Sequence, residues 1–471
     1  MTKAYATVKI RLLKKAIVYA GCAASLVLAG SLPAYGQNGA PPETKAVEPV
    51  KEFQTLRSLF EKGEYLQAAS ALEDFARKNA GWERIDEVTA LLGAAQVTAG
   101  EVSAGKNTLQ RLVEREPSAD VAGMARFYIG RALEAQGDFP AAVLAYASMR
   151  EEHSDHALAP AGVMREAEIA EKILANPKRA REVYRFFLKT YPKNAEAPAV
   201  MNHLAVMADQ AGDAAAAVEL YRKYAAAHPA DPGDVPLNGS LAGAAPALWH
   251  AAELTANQLK DPKTAVVIYT DYEKLPEANK GAGYFASAQL AAANKEAGDP
   301  NALYGQAVAA DPRPEWRMAY AQWLTAGKKA EEAAAQLWPV VNRSEDWSTA
   351  GKALDMLGAE RVRAYLDKNP TDHSVFRHYL SWFREGEKRE EGRKILDAWL
   401  ARKDIGWKTS IARDWAAWTK DPADAPRVKT AADAEGMMEI STKTTLAIAD
   451  RHIKAGQMDE AQKTLVDALN T

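Results

Sequence analysis

A recurring pattern of small and large residues constrains the fold of this chain more than any other feature. Between residues 63 and 221 a small residue returns every 37 or 38 positions. Ala or Gly follows five positions later, and Leu or Tyr four positions after that. The three slots hold Gly63, Gly100, Gly137, Ala175 and Gly212; Ala68, Gly105, Ala142, Ala180 and Ala217; and Leu72, Leu109, Tyr146, Tyr184 and Tyr221. Such a period predicts a stack of similar two-helix units.

The third unit shows how one repeat is built. Phe127 and Gly130 share one face of a predicted first helix, and a turn follows at Gly137. Pro140 stands in the first turn of the second helix, where the missing N–H costs little. We expect the two helices to approach closely at Gly130 and Ala142, because a larger side chain would push their axes apart.

These features resemble the tetratricopeptide repeat in its secreted or periplasmic bacterial form. The shared motifs are a small residue in the first helix, a turn of Gly, an acidic residue and an aromatic residue, and a closing Pro: Gly93, Gly130, Ala205; Gly63-Glu64-Tyr65, Gly137-Asp138-Phe139; Pro117, Pro192, Pro229. The resemblance implies an all-α fold, a right-handed α-solenoid of stacked antiparallel helix pairs. It also implies that the first helices line a concave groove for a segment of a partner protein.

The first 36 residues have the pattern of a secretory signal peptide. Five Lys and Arg residues with no acidic residue precede an apolar stretch over residues 16–30, and small residues surround Gly36. The apolar stretch is shorter than the roughly 20 residues that span a membrane. Only six apolar residues precede Cys22, and Tyr19 stands where lipoprotein signals carry Leu, so we expect no lipid anchor there. The sequence thus predicts cleavage after Gly36 and a periplasmic or secreted protein.

Changes in composition divide the rest of the chain. Nine of the eleven Trp lie between Trp316 and Trp418, and two stretches rich in Pro interrupt the period. We predict a flexible tether (37–50), repeats one to five (51–229), a loop or hinge (230–246), diverged repeats (247–312), Trp-rich helical hairpins (313–420), a linker (421–436) and a C-terminal capping hairpin (437–471). The Trp-rich part is interpreted as a helical core rather than as an aromatic binding platform.

Charge and cysteine content narrow the functions that this chain can have. Without residues 1–36, 54 basic residues face 62 acidic ones, which argues against general nucleic-acid binding. Cys22 is the single Cys, so the mature chain would hold no disulfide and no thiol site. We expect a protein or peptide partner. Arg181, Arg185 and Lys189 form a basic stripe that leaves a peripheral contact with the outer membrane open, and the sequence does not indicate the oligomeric state.

The sequence carries no pattern that predicts catalysis, a cofactor or a metal. Motifs for zinc proteases, nucleotide loops and nucleophile elbows are absent. His153 and His156 are the pair most similar to a metal site, but a zinc site needs three or four ligands. We interpret this stretch as a polar loop between repeats.

The resemblance places six charged or polar residues on the groove side of the first helices. They are Arg131, Glu134, Arg165, Lys172, Asn202 and Asp209. The Lys and Asn clamp with which the family grips a C-terminal carboxylate is not reproduced, because Phe127 and Val206 stand where it needs polar groups. We therefore expect a partner segment of another kind.

The preferred interpretation is a non-catalytic interaction scaffold of the bacterial cell envelope. One alternative is a peptidoglycan-active enzyme built on a helical superhelix, which would need a recessed catalytic Glu. Another is a structural subunit of an outer-membrane or envelope assembly complex, held by its convex face.

Overall fold

The computed structural model describes residues 47–227 and 243–469, which contain 24 α-helices and no β-strand. They fall into two compact units that divide between Ala278 and Asn279. Unit 1 holds α1 to α12: Val47–Glu61, Tyr65–Lys78, Ile85–Ala99, Val102–Val113, Ala119–Gln136, Phe139–Glu152, Ala159–Lys172, Pro177–Thr190, Ala197–Gln210, Ala214–Ala227, Ala244–Asn257 and Pro262–Glu273. Unit 2 holds α13 to α24: Lys280–Ala293, Pro300–Ala310, Pro314–Ala326, Ala330–Arg343, Trp347–Leu357, Ala359–Lys368, His373–Ser381, Arg389–Leu400, Lys408–Thr419, Ala425–Ala434, Met438–Lys454 and Met458–Leu469.

The turn inside each predicted repeat has a common construction. The residue in the first slot adopts a positive φ, which reverses the chain after the first helix. In the third and fifth repeats the following Asp caps the second helix: Asp138 accepts a hydrogen bond from the Ala141 N–H, and Asp213 accepts one from the Ala216 N–H. A helix stop and a helix start thus occupy two consecutive residues, which explains the short turns.

The close helix contact predicted in the third repeat is present. A Cβ atom placed on Gly130 would lie 2.6 Å from Cε1 of Tyr146, and Ala142 is fully buried. The second and third slots are buried in all five repeats. The pattern therefore marks the surfaces through which the two helices of a pair pack together.

The helix pairs of unit 1 stack so that the first helices lie on its inner side. Helix α1 contacts α3, α3 contacts α5, and α5 contacts α7, while each second helix packs between its own partner and the next first helix. The buried apolar residues form several modest clusters along the stack. This is the arrangement expected when each repeat contacts only its neighbours.

Unit 2 is also built from helix pairs, but its core contains Trp. Trp316, Trp399 and Trp415 are buried, and Trp323, Trp338, Trp382 and Trp418 pack against the same apolar cluster. Trp347 and Trp407 are exposed. Seven of the nine Trp in this region thus belong to or border the core.

Several predicted segment boundaries need correction. The predicted signal peptide, most of the tether and most of the loop at 230–246 lie outside the described residues. Helix α1 begins at Val47, inside the predicted tether, and α11 begins at Ala244, inside the predicted loop. Residues 421–436, predicted as a linker, form a 3₁₀ turn and α22. Pro422 and Pro426 stand in the first turns of these two elements, where Pro is tolerated.

Candidate functional site

The inner wall of unit 1 is the surface on which the sequence places the partner-binding residues. We use this name for the surface that α5, α7, α9 and α11 form where side chains of successive first helices meet. Three groups of contacting side chains link these first helices to one another. Each group consists of an acidic residue, a Tyr from the second helix and a basic residue from the next first helix, and we call it a rung.

The first rung joins α5 to α7 through Glu134. Its carboxylate accepts hydrogen bonds from the Tyr146 hydroxyl at 2.5 Å and from Nε of Arg165 at 3.2 Å. Burial alone would lower the pKa of Arg165, but the hydrogen bond to Glu134 and the charges of Glu134 and Glu168 outweigh it and raise that pKa. Burial and the Glu134 charge raise the pKa of Tyr146. The guanidinium and the phenol therefore keep their protons to a higher pH than they would in water.

The second rung repeats this arrangement between α7 and α9. Glu171 accepts from the Tyr184 hydroxyl at 3.1 Å, and Nε2 of His203 lies 2.9 Å from its Oε1. Burial by itself would raise the pKa of Glu171, but the hydrogen bond and charge of His203, together with the Tyr184 hydroxyl, lower it overall. The Tyr184 and His203 rings also meet edge to face, with centroids 5.3 Å apart.

The third rung joins α9 to α11. Nε2 of His250 lies 2.8 Å from Oδ2 of Asp209, and the Tyr221 ring meets the His250 ring edge to face at 5.5 Å. Burial, followed by the negative charge of Asp209, raises the pKa of Tyr221. Here the Tyr packs against the base, whereas in the other two rungs it donates to the acid.

The six predicted residues have different positions on this wall. Glu134, Arg165 and Asp209 belong to rungs, and Arg131 is half-buried beside the first one. Lys172 is 40% exposed and reaches Glu168 of its own helix, 3.4 Å away. The prediction that Asn202 faces the groove is wrong, because it is 2% exposed. It lies in a run of four consecutive buried residues that ends at Ala205, so neighbouring helices cover the side of α9 on which Asn202 lies.

Sequence reasoning missed Glu171, His203 and His250. A signal for them does exist, because the acids at 134, 171 and 209 follow the same 37 or 38-residue period as the slots. The bases at 165 and 203 also differ by 38 residues, whereas 203 and 250 are separated by an insertion. None of these residues indicates a site by itself. Only the contact that each makes with a residue of the neighbouring repeat identifies it as part of the site.

An open hollow of about 570 Å³ adjoins the third rung. Aromatic and acidic side chains line it, among them Trp249, Glu253, Tyr272 and Glu277. The Trp249 indole N–H donates to Glu253 at 3.0 Å, and its ring meets Tyr272 at 5.4 Å. The inner wall thus ends in a recess with both apolar and acidic surface.

The described parts of the chain contain no group of three or more His, Cys, Asp and Glu residues placed to hold a metal ion. His153 is buried, and the backbone N–H of Leu158 donates to Nδ1 of His156 at 3.0 Å. Within the same residues, no helix has the length and apolar character needed to cross a membrane.

Comparison with known protein families supports the repeat assignment. The model of the tetratricopeptide repeat family matches residues 90–157 and 174–232. The tetratricopeptide repeat predicted from the sequence pattern is therefore confirmed in these two stretches, which include Glu134 and Asp209 of the rungs. No curated protein sequence matches the chain.

Solved structures with a similar fold are distant in sequence. A tetratricopeptide repeat protein from Parabacteroides merdae is 13% identical, with a TM-score of 0.31 over 59% of this chain and 98% of that chain. A chain in the structure of Naa15/Naa10 bound to HypK-THB is 13% identical, with a TM-score of 0.39 over 89% of this chain and 68% of that chain. A chain of the APC/C hetero-tetramer Cut9-Hcn1 is 11% identical, with a TM-score of 0.27 over 91% and 96%.

Proposed function

We propose that this protein is a non-catalytic scaffold of the bacterial cell envelope whose inner wall in unit 1 binds a segment of a partner protein. Tetratricopeptide repeats typically serve as protein–protein interaction scaffolds. The observation that supports this proposal most strongly is the set of rungs, which hold successive first helices together and leave basic groups partly exposed beside them. Arg131, Arg165 and Lys172 are such groups.

The rungs favour binding because they fix part of the wall before a partner arrives. The guanidinium of Arg165 is held by carboxylates on two helices, Glu134 on α5 and Glu168 on α7, with Nη1 of Arg165 2.6 Å from Oε2 of Glu168. A side chain that is already ordered loses less entropy when it contacts a ligand. An extended segment lying along α5, α7 and α9 would meet polar groups at the spacing of the repeats, in the manner of groove recognition.

The cell-envelope location rests on the N-terminal sequence. The basic residues before an apolar stretch and the small residues around Gly36 support export and cleavage. The intact mass of the protein recovered from its native cells should correspond to a chain that begins at Gln37. A chain that retains residues 1–36, or one recovered from the cytoplasm, would contradict this part of the proposal.

Capture from envelope fractions tests the wall directly. Arg131→Glu combined with Lys172→Glu reverses two charges on the inner wall, and Arg181→Glu combined with Arg185→Glu reverses two on the second helix α8. Both variants change the net charge equally. We expect the wild type and the α8 variant to retain the same crosslinked partner and the wall variant to lose it. Loss in the α8 variant alone would instead support the structural subunit held by its convex face.

The enzyme alternative has one observation in its favour. Burial raises the pKa of Glu273 to about 7, as a general acid would require. However, Glu273 does not line the hollow, and the fully buried Glu166 is ion-paired with Arg150 and Arg179. We therefore expect the purified protein to leave the turbidity of a cell-wall suspension unchanged. Clearing that Glu273→Gln abolishes would reverse the assignment.

A further inference from the structure

The outer face of α23 in unit 2 is exposed and partly apolar. Leu446 is 56% exposed and Ile453 is 47% exposed, and neither side chain is covered by a described helix. Met458 and Val466 of α24 are also exposed. The sequence predicts a capping hairpin here, and a cap normally turns a polar face outward. This apolar surface therefore differs from what a simple cap requires.

Charged residues on the same face follow a symmetric order. Glu439, Lys443, Asp450 and Lys454 are all exposed, and with Leu446 and Ile453 they fall within an arc of about 100° on the helix. The midpoint of the set lies between Leu446 and Ala447. Glu439 and Lys454 are equally far from that midpoint on opposite sides, and so are Lys443 and Asp450. Each residue thus has a counterpart of opposite charge across the midpoint.

We propose that the protein forms a two-fold symmetric dimer in which α23 packs antiparallel against α23 of a second copy. A two-fold axis at the midpoint places Glu439 opposite Lys454 of the other copy and Lys443 opposite its Asp450. Leu446 meets its own counterpart near the axis. A two-fold interface uses the same patch on both copies, so the patch must be complementary to itself, as this one is. A parallel arrangement would instead bring like charges together.

The size of this surface sets the affinity that we expect for the dimer. Helix α23 is 17 residues long, and α24 adds Met458 and Val466 at the side. Two such surfaces form an interface at the small end of the range for stable complexes. We expect a dissociation constant on the order of micromolar.

Sedimentation equilibrium of the full chain tests the apolar part. The wild type should pass from monomer to dimer between about 0.1 and 100 μM. Leu446→Glu should remain monomeric over this range, with an unchanged melting curve because Leu446 is largely exposed. A wild type that is monomeric throughout would overturn the proposal, and capture of a different protein on this face would then be the remaining explanation for its exposure.

Charge reversal tests the antiparallel register. In Lys443→Glu the new carboxylate faces Asp450 of the other copy twice per dimer, and in Asp450→Lys two lysines face each other twice. Each variant alone should dimerise roughly tenfold more weakly. An equimolar mixture should form mixed dimers with the affinity of the wild type, because both contacts are then between opposite charges. The double variant Lys443→Glu/Asp450→Lys should also dimerise normally.

A matched control is available in unit 1. Lys223 pairs with Glu219 four residues earlier on α10, as Lys443 pairs with Glu439 on α23, and the two Lys side chains are 62% and 74% exposed. Lys223→Glu should leave dimerisation unchanged. The antiparallel contact is wrong if Lys443→Glu dimerises as well as Lys223→Glu does. It is also wrong if the mixture of Lys443→Glu and Asp450→Lys dimerises no more tightly than either variant alone.

Discussion

Residue 175 is an Ala in a position that the other repeats fill with Gly. Its φ is 48°, in the left-handed region, as for Gly137 and Gly212 in the neighbouring turns. A Cβ atom in that region crowds the backbone and costs about 1–2 kcal/mol. The repeat geometry is therefore imposed on a residue that disfavours it locally.

Ala175→Gly should stabilise unit 1 by about 0.5–1 kcal/mol, because relief of the strained backbone exceeds the entropy that Gly loses on folding. Thermal unfolding followed by circular dichroism measures the change. The matched substitution Ala335→Gly, at an exposed site inside α16, should destabilise unit 2 by a similar amount. If both substitutions destabilise equally, strain at Ala175 is absent.

Glu273 is a second residue that is locally unfavourable, because its carboxyl group is buried. It is 9% exposed, its Oε1 atom has no hydrogen-bond partner among the described residues, and burial raises its pKa to about 7. An acid whose pKa is higher in the folded state than in the unfolded state lowers stability as the pH rises between the two values. The buried Glu273 side chain therefore lowers the free energy of unfolding above about pH 7, where it is ionised, and has no such effect below about pH 4.

Glu273→Gln should raise the stability of unit 1 at pH 8 by about 1–3 kcal/mol, the cost of a buried unsatisfied group. At pH 4 the wild type and the variant should melt alike, because Glu273 is then protonated in both the folded and unfolded states. Melting temperatures at the two pH values measure this difference. An advantage of the variant that is as large at pH 4 as at pH 8 would contradict the proposed ionisation.

At the scale of helices, Gly392 sets the distance between α20 and α21. A Cβ atom on Gly392 would lie 2.3 Å from Cη2 of Trp415 and 2.8 Å from Cβ of Phe383. Trp415 is fully buried, so its ring has no free space to enter. The small residue thus lets a large aromatic ring fill the gap between two helices.

Gly392→Ala should destabilise unit 2 by about 1–3 kcal/mol through overpacking. Gly305→Ala is the matched control, because Gly305 lies within α14 with no atom within 4 Å of the added Cβ. The control should gain about 0.5–1 kcal/mol from better helix propensity. Chemical denaturation of both variants separates packing from propensity, and equal stabilisation of the two would exclude the close contact.

The helix pairs could be predicted from the sequence wherever their turns followed the period. Gly137 with Asp138 marks both a helix end and a helix start, and the structure places them there. Prediction failed at residues 421–436, since Pro422 and Pro426 are typical of loops and of first helical turns alike. The choice between these depends on whether an apolar face follows, and Val428 and Ala431 supply one that packs on Ala412.

At the scale of the whole molecule, the candidate site was only partly predictable. The period placed Glu134 and Arg165 on first helices, but not their mutual contact, because that contact joins residues 31 positions apart in different repeats. Burial of Asn202 depends on how neighbouring helices enclose α9, which periodicity does not record. The exposure of the apolar residues on α23 could not be predicted for the same reason. Apolar residues follow the same helical spacing in the sequence whether or not another helix covers them.

The central claim is that the inner wall of unit 1 binds a partner segment and that the second helices do not. Site-specific photocrosslinking in the native cells tests it most directly. A photoreactive residue would replace Arg131 or Lys172 on the wall, and Leu144 on α6 or Lys223 on α10 as controls. We predict one shared crosslinked partner from both wall positions and none from the controls. Crosslinks of equal yield from all four positions, or from the control positions alone, would contradict the account.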